Sequence, residues 1–243
     1  MTEHDHIVSA FSHEIEELRT KILRMGGLTE QLLADAVAAL DSRDAERAAA
    51  VIVADRRVDA LQSEIDEEAI RTLARRQPMA IDLREIIAVI RIGSDLERIG
   101  DLAKNIAKRV AAIGAERHSA RFGRGLGHLA GLVLAQLKDV LDAYARRDAA
   151  AAVTVRNRDG EIDALYNSLF RELLTYMMED PRTITMSTHL LFCAKNIERI
   201  GDHATNIAET VHYVVSGEPL REPRPKDDSH NFARVPYPAD PAP

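Results

Sequence analysis

The chain has 243 residues, of which 46% are hydrophobic and 29% charged, and its formal net charge is −7. That composition fills a core, so it excludes a chain disordered or membrane-embedded throughout, and the acidic balance excludes a dominant nucleic-acid footprint. Aromatics are only 4%, Trp is absent, and Gly (12) and Pro (9) are sparse, which points away from a β-sandwich or barrel and towards an all-α fold.

In chain order, Phe11, Ile15, Leu18, Ile22 and Met25 step by four and three residues and continue through Leu32, Ala36 and Ala39. This is an amphipathic helix of about 30 residues, and Gly26–Gly27 predicts a kink within it. Asp44 is a suitable N-cap for a second helix over 45–76, which Gln77–Pro78 ends. A third helix is expected over Ile81–Ile113, a fourth over Arg121–Arg146 after a short linker near Glu116–Ala120, a fifth over Asp148–Glu179 and a sixth over Thr183–Val215. Beyond Gly217, prolines and charges replace periodicity, so 218–243 reads as a disordered tail.

The second half repeats the first. Asp44, Asp55 and Asp59-Ala60-Leu61 return as Asp148, Asp159 and Asp163-Ala164-Leu165. Glu97-Arg98-Ile99-Gly100-Asp101 returns as Glu198-Arg199-Ile200-Gly201-Asp202, and the windows 97–110 and 198–211 agree at ten of fourteen positions. The chain therefore reads as a tandem duplication of a three-helix unit, one bundle over 1–116 and one over 117–217.

The duplicated helices keep acids four apart: Asp55/Asp59 and Glu97/Asp101, then Asp159/Asp163 and Glu198/Asp202. Such a pair differs by about 40° around the axis and about 6 Å along it, so both carboxylates point one way. The seam of the third helix is Ile92, Leu96, Ile99, Ala103, Ile106 and Val110. Asp101 falls about 180° from its middle, which places the rows Glu97-Asp101-Asn105 and Glu198-Asp202-Asn206 on an outer face, with Asp55 and Asp59 completing four acids per bundle. Neighbouring positions such as Lys104/Thr205 and Lys108/Glu209, read as surface, have diverged. Clustered carboxylates repel unless compensated. Arg98 and Arg199 do this in part, and a divalent or trivalent ion on oxygen ligands does it better, with Asn105 and Asn206 as hydrogen-bond partners of the ligands. The ligand set admits Mg, Mn, Ca, Fe or Zn.

Other chemistry is weaker. A ferritin-type di-iron site needs paired Glu-x-x-His motifs inside a bundle; the chain has Glu209 to His212, whose counterparts are Lys108 and Ala111. His203 reads as a surface residue and Cys193, the only cysteine, as a small core residue. No Gly-rich phosphate loop or nucleophile elbow is present, and outward acids exclude water poorly, so an enzyme is not expected. One cysteine permits no intramolecular disulfide, and the acidic start is unlike a signal peptide, so a reducing, cytoplasmic setting is expected. The longest uncharged stretch, Gly125–Leu137, is shorter than a span of about 20 residues, so direct membrane insertion is not expected.

Two tandem three-helix units, each with Glu-Arg-Ile-Gly-Asp followed by Asn-Ile-Ala and preceded by an Asp-x-x-x-Asp helix, resemble the PhoU phosphate-uptake regulators over about residues 7–216. The resemblance implies an all-α, usually homodimeric protein with multinuclear metal clusters, of Fe, Zn, Mn or Mg, on its bundles. It implies a non-enzymatic negative regulator of the phosphate-starvation response that links the ATPase-driven phosphate ABC transporter to a sensor histidine kinase. Carried over by position, the metal-binding acids are Asp55, Asp59, Glu97, Asp101, Asp159, Asp163, Glu198 and Asp202. Asp95 is set aside because its counterpart is Asn196. A metal-dependent enzyme and a metal-free helical scaffold are the competing readings.

Overall fold

The computed structural model describes residues 3–113 and 120–221. Every element in it is helical: α1 Glu3–Ser42, α2 Ala45–Ala54, α3 Arg56–Arg76, α4 Ile81–Ile113, α5 Ala120–Arg146, α6 Ala149–Asn157, α7 Asp159–Glu179, a 3-10 turn at Pro181–Thr183, and α8 Ile184–Ser216. The expected linker up to Ala120 and the tail from 222 lie outside the described residues, and 218–221 are non-helical.

The starts and stops follow local chemistry. The Asp44 carboxylate accepts from the Arg47 backbone N–H and Asp148 from that of Ala151, each at 2.9 Å, which satisfies a donor that the first turn of a helix leaves unpaired. The residue before each cap is left-handed, Arg43 at φ 57° and Arg147 at φ 54°, so the duplication extends to an unfavourable backbone state. Gln77, also left-handed, ends α3, and Gly217 at φ 79° ends α8 with its N–H on the Tyr213 carbonyl at 2.9 Å.

α1 runs as a helix through Gly26–Gly27. A Cβ on Gly26 would stand 2.7 Å from the Leu141 methyls, whereas one on Gly27 would meet nothing; Gly26 permits close packing of α1 on α5. The helices expected over 45–76 and 148–179 are each broken once, at Asp55 and at Arg158. There the backbone tightens: Val58 N–H donates to Asp55 O at 2.8 Å and Glu161 N–H to Arg158 O at 3.1 Å, the three-residue spacing of a 3-10 turn.

α4 and α8 form a central antiparallel pair. Arg84 lies against Gly217, His203 bonds Asp95, and Arg109 meets His189 and stacks on the Phe192 ring. α1, α2 and α3 surround α4; α5, α6 and α7 surround α8. The seams predicted for α1 and α4 are buried from Leu18 to Ala39 and from Ile92 to Val110, and one apolar cluster runs through both repeats, Cys193 included. Burial pushes the Cys193 thiol up to about 12, so it stays protonated and inert.

Candidate functional site

In the first repeat the acids meet where the α2–α3 break crosses α4. Gly100 allows that approach, since a Cβ there would sit 3.1 Å from Asp55 Oδ1 and 3.4 Å from Val58 Cγ1. Asp55 is consequently 2% exposed. Lys104, one turn beyond Asp101 on α4, extends its ammonium between two acids, 2.5 Å from Asp55 Oδ2 and 2.6 Å from Asp101 Oδ1. Burial opposes its charge, yet the hydrogen bonds to Asp101 and Asp55 hold the ammonium above the ordinary lysine value. Arg98 stands farther off, 3.6 Å from Glu97 and 3.9 Å from Asp101, and is mostly exposed. Burial first, and the Asp101 charge second, raise the Glu97 carboxyl above its ordinary value; burial and then Asp55 raise Asp59, with Lys104 opposing.

The second repeat has the same frame with different chemistry. Asp159 opens α7 at 2% exposure and accepts from Thr205 Oγ1 at 3.2 Å; Thr205 accepts from Gln136 Nε2 at 3.1 Å. Thr205 occupies the position of Lys104, so a hydroxyl stands where the first repeat has an ammonium. Gln136 is buried and its Oε1 accepts no hydrogen bond. Lys195, near the rim and over the Tyr166 ring, lies 2.6 Å from Glu198 Oε2. Burial raises the Glu198 carboxyl despite Lys195. Asp163 and Asp202 are half-buried.

The outer-face expectation therefore holds for part of the rows. Asn105 is exposed and Glu97, Asp101 and Asp202 are half-buried, but Asp55, Asp159 and Glu198 are buried. The reason is that α2–α3 and α6–α7 pack on the flank of each predicted seam marked by Gly100 and Gly201, so α4 and α8 are covered on more than one side. Lys104 and Thr205, read as surface positions, are partly and fully buried. His203 is not a surface residue: its Nδ1 lies 2.8 Å from Asp95 Oδ1 with both side chains 18% exposed. Asn206 donates to Asp95 at 3.3 Å, Arg199 is exposed, and Glu209 pairs with Arg156 at 3.1 Å, while His212 faces the Glu218 carbonyl.

Sequence reasoning missed Lys104, Gln136, Lys195 and Asp95. The spacing Asp101-x-x-Lys104 was a signal for Lys104, because residues three apart share a helix face; nothing local reveals Gln136, which arrives from α5. A cleft of about 590 Å³ opens beside Asp95, Arg91, Ser94 and Thr210, and none of the eight acids lines it. Among the described residues, no three His, Cys, Asp or Glu side chains already converge as ligands of one ion. The second cluster nevertheless suits a hard cation, with acids, a hydroxyl and an orphaned amide oxygen together. In the first, Lys104 already stands among the acids.

A family model described as the PhoU domain matches residues 22–110 and 126–211, one match per repeat. The chain belongs to the PhoU family. A relative in Rhizobium meliloti, named phosphate-specific transport system accessory protein PhoU homolog, is 59% identical over 93% of this chain and 95% of its own. One of the same name in Caulobacter vibrioides is 50% identical over 92% and 97%. The crystal structure of PhoU from Pseudomonas aeruginosa superposes with a TM-score of 0.83 at 43% identity, covering 86% of this chain and all of that one. That of the phosphate transport system regulatory protein PhoU from Streptococcus pneumoniae gives 0.81 at 32%, covering 87% and 100%. No helix among the described residues is long and apolar enough to cross a membrane.

Proposed function

We propose that this chain is a non-enzymatic regulatory adaptor of phosphate uptake. In this reading it works in the cytoplasm as a homodimer, docks on the ATPase subunit of a phosphate ABC transporter and on a sensor histidine kinase, and holds the phosphate-starvation response off when phosphate is plentiful. The observation that carries the reading is agreement along nearly the whole length with relatives named as accessory proteins of phosphate-specific transport.

The second acidic cluster is the part of the molecule suited to a metal, with Asp159, Asp163, Glu198 and Asp202 as carboxylate donors and Thr205 and Gln136 as neutral oxygens; Fe, Zn, Mn and Mg all accept such ligands. A bound ion would supply positive charge, converting an acidic patch into one that accepts anionic groups. The residues themselves supply a buried, rigid seat on α8, because Gly201 lets the α6–α7 segment and Gln136 approach within 3.2–3.5 Å of its Cβ position.

The test is a phosphate-starvation reporter read at high phosphate, with pull-downs against the transporter ATPase and the kinase. Deletion of the gene should derepress the reporter, and Asp159→Asn with Asp163→Asn and Asp202→Asn should weaken repression while helical circular dichroism persists. A deletion that leaves the reporter silent overturns the regulatory reading; a folded triple variant that represses as wild type overturns the role of the second cluster.

A further inference from the structure

We propose that the two acidic clusters are not equivalent: the Lys104 ammonium is the resident cation of the first, which therefore takes no metal ion. The metal reading of the second cluster belongs to the function proposed above, and this inference adds a difference between the repeats that it does not require.

The argument starts from the frame the repeats share. Both bring an aspartate, Asp55 or Asp159, to a helix break packed on the central helix at a glycine, Gly100 facing Asp55 and Val58 and Gly201 facing Gln136 and Ile162, beside an Asp four residues beyond a Glu. Such a frame needs a positive charge, because like carboxylates in a partly desolvated site destabilise one another. At the position where the second repeat places neutral Thr205, the first places Lys104, whose Nζ lies within hydrogen-bonding distance of acids from two different segments. An ammonium at 2.5 and 2.6 Å from two carboxylates occupies the space and satisfies the charge that an ion would. The remaining Asp55 oxygen, Oδ1, is buried and accepts no hydrogen bond, so a donor for a cation is present once the lysine is removed. Lys195 is not its equivalent in the second repeat: it lies three residues before Glu198, half-exposed, and reaches the Glu198 carboxylate from the rim.

Lys104 also ties the break to α4 without any dependence on metal supply. The first repeat is then held by covalently attached charge.

The test uses the full-length chain stripped with chelator, then given Mn²⁺, with bound ion counted after desalting and helicity followed by circular dichroism. Asp101→Asn should leave the wild-type Mn²⁺ content unchanged. Lys104→Thr, which copies the second repeat, should bind at least one more Mn²⁺ per chain than wild type, and adding Asp101→Asn to it should abolish the gain. Lys104→Arg, which keeps the charge, should gain nothing. Should Lys104→Thr fold poorly in chelator, recovery of its helicity on adding Mn²⁺ supports the proposal, and Lys104→Met, which keeps the apolar stem, is counted in the same way. A loss of Mn²⁺ from otherwise wild-type protein on Asp101→Asn overturns the proposal. So does a Lys104→Thr or Lys104→Met chain that takes up no more than wild type. Wild type without Mn²⁺, beside a Lys104→Thr chain that gains it, would defeat the metal reading of the second cluster and leave this inference standing.

Discussion

Glu14 on α1 receives a two-pronged contact from Arg76 at the end of α3, with Nη2 at 2.8 Å and Nε at 3.3 Å. The hydrogen bond from Arg76 holds the Glu14 carboxyl below its ordinary value, with burial opposing. A carboxyl so depressed in the folded state adds stability that is present above the ordinary glutamate range and lost as pH falls through the lowered value. Glu14→Gln should therefore be less stable than wild type at pH 7, with the difference vanishing under acid; urea midpoints of both proteins from pH 7 down to pH 3 measure it. A difference that grows on acidification would contradict the pairing. This residue-scale contact was invisible in the sequence, where Glu14 is one acid among many on the polar side of a helix and its partner lies 62 positions away. By contrast Asp44 was legible as a cap, because its hydrogen bond closes within three residues.

At the scale of elements, the two adjacent glycines of α1 have opposite roles. Gly27 faces open space and Gly26 faces Leu141 of α5. Gly27→Ala should stabilise by about 1 kcal/mol, the ordinary gain of helix propensity. Gly26→Leu should destabilise by about 1–3 kcal/mol through overpacking. Denaturant unfolding of the two variants decides it, and equal effects would show that the α1–α5 contact is misassigned. From the sequence the pair could only be read as a local helix breaker, since what a glycine permits is set by the helix across from it. The same holds for Gly100: its place in Glu-Arg-Ile-Gly-Asp is legible, but the approach of Asp55 beneath it depends on a break in a helix whose residues show no Gly or Pro to mark it. Helix existence and order were readable because the apolar spacing of α1, α4 and α8 is long and regular. The break at Asp55 was not, because it arises where that segment is pressed against Gly100 of α4.

Across the whole molecule, Asp95 joins the repeats by accepting from Asn206 and pairing with His203 on α8, within a core continuous from one repeat to the other. Asp95→Ala should cost about 1–3 kcal/mol, because it strands partly buried groups. It should shift a single unfolding transition rather than split it in two, as followed by circular dichroism in denaturant. Two separated transitions would show that the repeats unfold independently. Asp95 was set aside in the sequence because the other repeat has Asn196 there, yet a residue that bridges two repeats need not be duplicated; only one side of the bridge requires it. What the sequence determined by itself is therefore what repeats or closes locally: the helical class, the duplication, the caps, the apolar seams and the eight acids. What the tertiary structure decided is which of those acids are buried, and that Lys104 is the cation of one cluster while Thr205 and Gln136 stand in the other. The physical reason is that charge compensation and burial depend on distances between segments roughly 50 to 70 residues apart, and helical periodicity carries no information about such distances.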